Sequence, residues 1–159
     1  MASVVKSFIT SAPLDAVWDA LRAVDQLHTR LVPGFVVDTA MDGHTRLVTF
    51  ASGAIVREPL ITVDDDLHRV VWTSEGGATT HYNGVARASA HPDGTEVEWS
   101  ADFLPDDVRD HIERAMAAGI GAMKATLDLL ADSPRPDVTT PGSGQTMQNS
   151  LPSGSRKTT

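Results

Sequence analysis

Three residues in the middle of the chain could provide chemistry inside a dry pocket: Glu58, Trp72 and Tyr82. Glu58 interrupts an otherwise apolar strand-like segment, and a carboxyl group removed from water can act as a general acid or base. A tyrosine hydroxyl can orient or protonate a carbonyl group. Two other interpretations stay open. Glu58 could form a structural ion pair, for example with an arginine across the sheet, and the two aromatics could be plain core residues.

The residues around Tyr82 are unusually small. On its strand Tyr82 alternates with Gly84, Ala86 and Ala88, so these four side chains share one face. Small side chains that face a core leave room between the layers of a fold. This face therefore predicts a cavity beside Tyr82, with Trp72 on a neighbouring strand.

A long amphipathic helix is predicted over residues 105–130, and its apolar face contains Ala115, Met116, Gly119 and Met123. Flexible methionines suit a variable apolar ligand, although they fit an ordinary core equally well at this spacing. Glycine inside a helix costs about 1 kcal/mol relative to alanine. Gly119 therefore indicates either close packing against a strand or clearance for a ligand.

The elements that must position these residues are mainly strands. Short turns of Gly, Asp, Ser and Pro separate them, which predicts antiparallel hairpins. Helical spacing after Pro13 and at Leu27–Leu31 predicts two short helices behind the first strand. Because helices and strands are segregated, the fold class is α+β. The strands are predicted over residues 4–10, 35–40, 45–51, 55–63, 69–74, 80–90 and 96–103.

Composition excludes several kinds of function. The chain has 159 residues, no cysteine and a net charge of −8 that lies before the C-terminal tail. An acidic domain argues against binding nucleic acid, and the lack of cysteine excludes disulfides and thiolate catalysis. The sequence lacks a signal peptide and an apolar run of membrane-spanning length. We therefore expect a cytoplasmic protein without integral membrane association; the oligomeric state is not indicated.

Metal and cofactor sites are not expected. The six histidines do not have the spacing of known zinc motifs, although His111 lies near the inward edge of the long helix. Phosphate-binding and dinucleotide-binding fingerprints are also lacking. From residue 133 onward Pro, Ser, Thr, Gly and Gln dominate. The composition predicts a single domain over residues 1–132 and a disordered tail over 133–159.

Several spaced segments resemble the START-like (SRPBCC) superfamily, in its polyketide cyclase/dehydrase and lipid-transport branch. The resemblance covers residues 3–131 and implies the helix-grip fold. In that fold a curved seven-stranded antiparallel sheet wraps around the long C-terminal helix, and two short helices after the first strand close one end. The segments are Ser11-Ala12-Pro13 followed by Trp18, Arg57-Glu58-Pro59-Leu60 running to Arg69, Glu96-Val97-Glu98-Trp99, and Ala118-Gly119-Ile120-Gly121.

The resemblance also implies site residues. It places Glu58 on the concave face of the sheet, and Trp72 and Tyr82 at ligand-contact positions. It matches Glu98 to a cavity-lining carboxylate of the plant abscisic-acid receptors, whereas strand alternation puts Glu98 in solvent unless a β-bulge reverses the faces. Glu58 and Tyr82 are the catalytic candidates. The predicted ligand-binding set is Glu58, Trp72, Tyr82, Glu98, Ala115, Met116, Gly119 and Met123.

Three functions compete at this point. The favoured one is binding of a hydrophobic small molecule, such as a lipid or a polyketide-like compound, between the sheet and the long helix. The second is an enzyme of the cyclase/dehydratase kind, with Glu58 and Tyr82 as acid and base. The third is a regulatory module that interacts with another protein, which the acidic surface and the tail permit.

Overall fold

The structure, a computed structural model, describes residues 1–132 of the chain. The tail over 133–159, and the disorder predicted for it, lies outside the described residues. Within residues 1–132 the helices lack the combination of length and apolar composition that crossing a bilayer requires.

Seven antiparallel strands form one sheet in the order β1-β7-β6-β5-β4-β3-β2. Strands β2 to β7 follow one another as hairpins, and β1 completes the sheet by pairing with β7. This is the antiparallel architecture that the short turns predict, since such turns can join only antiparallel neighbours. The strands are β1 Ala2–Thr10, β2 Val36–Asp42, β3 Thr45–Phe50, β4 Ile55–Asp64, β5 Arg69–Thr73, β6 His81–His91 and β7 Gly94–Leu104.

The long helix, α2, runs from Arg109 to Asp128 and is flanked by 3₁₀ turns at Asp106–Val108 and Leu129–Asp132. The helix predicted over 105–130 is thus confirmed, with its ends tightened into 3₁₀ geometry. Such tightening is common where terminal backbone groups lack helical partners. The fold is the α+β helix-grip arrangement, with the long helix after the sheet in sequence.

Two short helices follow β1, as expected. The first, α1, spans Leu14–Arg22, and the second, Leu27–Leu31, has π-helical geometry. The α1 helix is tied to the β4–β5 turn by Asp65, which accepts a hydrogen bond of 2.9 Å from Nε1 of Trp18. Nε of Arg22 lies 3.0 Å from the same carboxylate. Asp65 therefore joins α1 to the turn between β4 and β5.

Strict alternation on β6 and β7 builds the concave face. Tyr82, Ala86 and Ala88 are buried on β6, and they lie opposite Phe103, Trp99 and Val97 of β7. The face of α2 that packs toward the sheet buries Met116, Gly119, Met123 and Leu127, at the helical spacing that the sequence shows. The core therefore lies between one side of the sheet and one stripe of the helix.

Gly119 is the position at which α2 packs directly against two aromatic rings. A β-carbon placed on Gly119 would lie 2.7 Å from Cζ3 of Trp99 and 3.0 Å from Cε1 of Phe35. Of the two interpretations that the sequence allowed, close packing and clearance for a ligand, close packing therefore explains this glycine. Gly121, two residues later, is exposed and has no such neighbour within 4 Å.

The two glycines form a matched test of this packing. We expect Gly119→Ala to lower the free energy of unfolding by about 1–3 kcal/mol, because the added methyl group must displace an aromatic ring. Gly121→Ala should raise it by about 0.5–1 kcal/mol through helix propensity alone. Urea unfolding followed by circular dichroism measures both. Equal effects of the two substitutions would contradict the close contact with Trp99.

Candidate functional site

A cavity of about 590 Å³ lies between the concave face of the sheet and the N-terminal half of α2. Most of its wall is apolar and comes from the π-helix, strands β3 to β7 and α2. Apolar residues on its surface include Leu27, Leu31, Val48, Val70, Trp99, Ile112 and Met116. The size lies within the range of roughly 300–1,000 Å³ that is typical of small-molecule sites.

Six of the eight predicted ligand-binding residues line this one cavity. Glu58, Trp72 and Tyr82 reach it from the sheet, while α2 contributes Ala115, Met116 and Met123. His111, on the first turn of α2, also lines it from an exposed position. The small face of β6 contributes Ala86, which agrees with the room predicted beside Tyr82.

Gly119 and Glu98 are not part of the cavity wall, so the structure does not bring them together with the other six predicted residues. The Trp99 ring covers Gly119 and itself lines the cavity. Glu98 is exposed and pairs across the sheet with Ser7 and Arg87, and β7 keeps an unshifted register with both neighbours. Without a bulge in β7 the alternation holds, so the Glu98 side chain lies on the outer face and its neighbour Trp99 lines the cavity.

The polar part of the cavity is a buried ion pair. Nε of Arg46 donates to Oε2 of Glu58 at 2.6 Å, and the two residues are 4% and 8% exposed. They face each other because Arg46 on β3 and Glu58 on β4 are direct partners in the antiparallel ladder. The guanidinium carbon of Arg46 also lies 5.0 Å from the centroid of the Trp72 ring, which is within cation–π distance.

Arg46 is a site residue that sequence reasoning did not identify. Its segment offers one signal, since Arg46 and Val48 alternate on the inward face of β3. An arginine in such a position requires a buried partner. The possibility of an arginine across the sheet from Glu58 was open, but identifying it needs the register between β3 and β4.

Tyr82 supplies a hydroxyl that stays protonated. Burial raises the pKa of Tyr82 well above its ordinary value of 10.0, and the neighbouring Glu58 carboxylate raises it further. The Trp99 indole and the Arg46 guanidinium act in the opposite direction but are outweighed. The Trp99 indole is near enough to affect this pKa, yet its Nε1 lacks a partner with hydrogen-bond geometry among the described residues. Tyr82 therefore offers a neutral donor beside a charge pair.

The wall of the cavity can thus donate hydrogen bonds from Arg46 and Tyr82, and accept them at Glu58. Most of the remaining lining is apolar, and further polar side chains come from Ser52, Ser74, Thr79, His111 and Arg114. Within residues 1–132 the His, Asp and Glu side chains do not form a group of three that could hold a metal ion. The arrangement can therefore form hydrogen bonds at one end of a largely apolar surface.

Tyr82 is the only tyrosine of the chain, so its titration can be followed directly. In the folded protein we expect the ultraviolet absorbance of tyrosinate to stay absent as the pH passes 10.0, because burial keeps the hydroxyl protonated. The unfolded chain releases this proton near pH 10, so the stability of the fold should fall as pH rises above that value. Titration of the urea-unfolded chain is the control. Tyrosinate appearing near pH 10.0 in folded protein would contradict the buried position.

Solved structures share this fold. An uncharacterised protein from Bacillus thuringiensis has a TM-score of 0.71 at 18% identity, covering 80% of this chain and 100% of its own. The protein XoxI from Bacillus cereus has a TM-score of 0.70 at 20% identity, covering 81% and 98%. A protein from Thermobifida fusca has a TM-score of 0.66 at 22% identity, covering 83% and 92%. These likenesses establish the fold.

Sequence comparison identifies the family. A search of curated proteins finds no significant match. The profile of the family described as polyketide cyclase / dehydrase and lipid transport matches residues 1–133, which include every strand and helix described above. The resemblance noted in the sequence is confirmed, and the chain belongs to the polyketide cyclase/dehydrase and lipid transport family.

Proposed function

We propose that this protein binds a hydrophobic small molecule in the cavity between the sheet and α2. The observation that carries the proposal is a cavity of about 590 Å³ whose wall is largely apolar. Burial of apolar ligand surface contributes roughly 25 cal/mol per Å², so such a wall favours an apolar occupant over water.

The composition of the wall supports an adaptable site. Met116 and Met123 reach the cavity from α2, and unbranched thioether side chains adjust to different apolar shapes. Leu27 and Leu31 of the π-helix add apolar surface to the same wall. The family description, which includes lipid transport, agrees with a ligand of this class.

A substitution that fills the cavity tests the proposal. Ala115 lines the cavity on α2, whereas Ala125 is exposed on the same helix. We expect Ala115→Phe to weaken binding of the neutral apolar dye N-phenyl-1-naphthylamine by at least about tenfold, because the added ring occupies ligand space. Ala125→Phe should leave the dissociation constant unchanged. Dye fluorescence measures the affinity, and thermal unfolding verifies that both variants fold.

Two results would count against the proposal. One is a wild-type protein that fails to bind the dye and whose mass in native mass spectrometry shows no retained small molecule. The other is equal loss of affinity in both variants, which would place the dye on the protein surface.

Catalysis is a second candidate function, because a potential proton donor and a potential proton acceptor line the same cavity. Tyr82 carries a neutral hydroxyl, and Glu58 carries a carboxylate with Arg46 beside it. A cyclase or dehydratase acting on a poly-β-ketone needs a base to remove a proton and donors that stabilise the enolate. In this role Glu58 is the base, and Tyr82 and Arg46 are the donors.

The catalytic candidate has its own test. With a poly-β-ketone thioester as substrate, loss of water is followed by mass spectrometry. Glu58→Gln and Tyr82→Phe should each lower turnover by about a hundredfold or more, since the first removes the base and the second removes a donor to the enolate. Glu98→Gln makes the same chemical change on the outer face and serves as the control. Unchanged turnover in Glu58→Gln would remove Glu58 from the proposed mechanism.

A further inference from the structure

Three side chains of the cavity wall carry polar atoms that have no partner of hydrogen-bond geometry among residues 1–132. The described residues give Arg46 and Glu58 one side-chain hydrogen bond, which joins Nε to Oε2. The terminal nitrogens of Arg46, Oε1 of Glu58 and the Tyr82 hydroxyl are left free by it. Within residues 1–132, the polar side-chain atoms that lack both solvent access and a hydrogen-bond partner belong to His28, Thr39 and Trp99. The free atoms of Arg46, Glu58 and Tyr82 are not among them, so they are accessible to solvent. They are therefore available to an occupant of the cavity that all three residues line.

The charge of the pair decides which polar group fits. Nε of Arg46 and Oε2 of Glu58 are 2.6 Å apart, so a ligand atom that contacts one group also lies within a few ångströms of the other. For an anionic ligand group, attraction to Arg46 is largely offset by repulsion from Glu58, and for a cationic group the signs reverse. Either ion would still lose its hydration on entering an apolar cavity. The remaining charged groups of the lining, Arg114 and, when protonated, His111, are exposed on α2.

We propose that the buried end of the ligand is an uncharged group that presents a hydrogen-bond acceptor beside a donor. A primary carboxamide, or a carbonyl with an adjacent hydroxyl, has this arrangement. The ligand acceptor takes hydrogen bonds from the guanidinium of Arg46, and the ligand donor binds Oε1 of Glu58. This inference rests on the proposed binding function and narrows its ligand class.

The surroundings hold the pair ready for such a group. The Trp72 ring lies 5.0 Å from the guanidinium carbon, so it restricts the guanidinium from one side. Tyr82 remains a neutral hydroxyl that can donate or accept a hydrogen bond. It can therefore bind whichever lone pair or proton of the ligand group Arg46 and Glu58 leave unpaired. A site whose donors and acceptors are fixed in advance discriminates strongly against groups that leave them unpaired.

Three amphiphiles with the same chain test the inference: decanamide, decanoate and decylammonium. Each is used below its aggregation concentration to displace N-phenyl-1-naphthylamine, above about pH 7, where the carboxylic acid is ionised. We expect decanamide to bind at least about tenfold more tightly than either ion, because only it satisfies both Arg46 and Glu58. Equal affinities, or tighter binding of an ion, would overturn the inference.

A charge-neutralising variant sharpens the result. Glu58→Gln leaves the positive charge of Arg46 without its counter-ion. In this variant decanoate should therefore bind more tightly than decanamide, which reverses the wild-type order of affinities. Glu98→Gln removes the same charge from the outer face and should keep the wild-type order. A general loss of stability cannot reverse the preference between two ligands that share one chain. An unchanged order in folded Glu58→Gln would overturn the inference, and if that variant does not fold, the wild-type order decides.

The outcomes separate this inference from the proposed function. If the dye binds and the three amphiphiles compete equally, the cavity binds apolar molecules and only the assignment of the polar group fails. If neither the dye nor any amphiphile binds, the proposed function fails and the inference fails with it.

Discussion

The close contact between Gly119 and Trp99 holds the long helix directly against a ring that forms part of the cavity wall. Ala115 and Met123, which lie about one helical turn on either side of Gly119, line the cavity. A second glycine, Gly84, plays the same part for Trp72, since a β-carbon there would lie 2.5 Å from Cε2 of that indole. Two glycines therefore seat the two tryptophans that form part of the wall.

The polar site follows from the positions of these two tryptophans. Their ring centroids are 6.2 Å apart, and Trp72 in turn lies against the guanidinium of Arg46. Arg46 is bonded to Glu58, so one continuous series of contacts runs from the helix to the buried charges. Burying an ion pair costs desolvation energy that the mutual attraction seldom exceeds by much. Such a pair contributes little net stability, so stability alone does not account for its place in the cavity wall.

Much of this arrangement could be predicted from the sequence, because it depends on local periodicity. Alternation on β6 identified the small face beside Tyr82, and helical spacing identified Met116 and Met123. Alternation was also right for Glu98, where a match to distant relatives pointed to the opposite face. Arg46 and the role of Gly119 were not predictable in the same way, because each depends on a partner in another element. The partner of Arg46 follows from the β3–β4 register, and the partner of Gly119 from the position of α2 against the Trp99 side chain.

The distribution of the three tryptophans has a further consequence. Trp72 and Trp99 form the cavity wall, whereas Trp18 lies at α1, where Asp65 holds its indole nitrogen. The intrinsic emission of the protein is therefore a sum of two parts, one from two tryptophans that line the cavity and one from a tryptophan that does not. The sole tyrosine lies in the same wall and can pass excitation energy to the adjacent indoles. A molecule inside the cavity would contact Trp72 and Trp99 directly, and Trp18, outside the wall, would provide the reference.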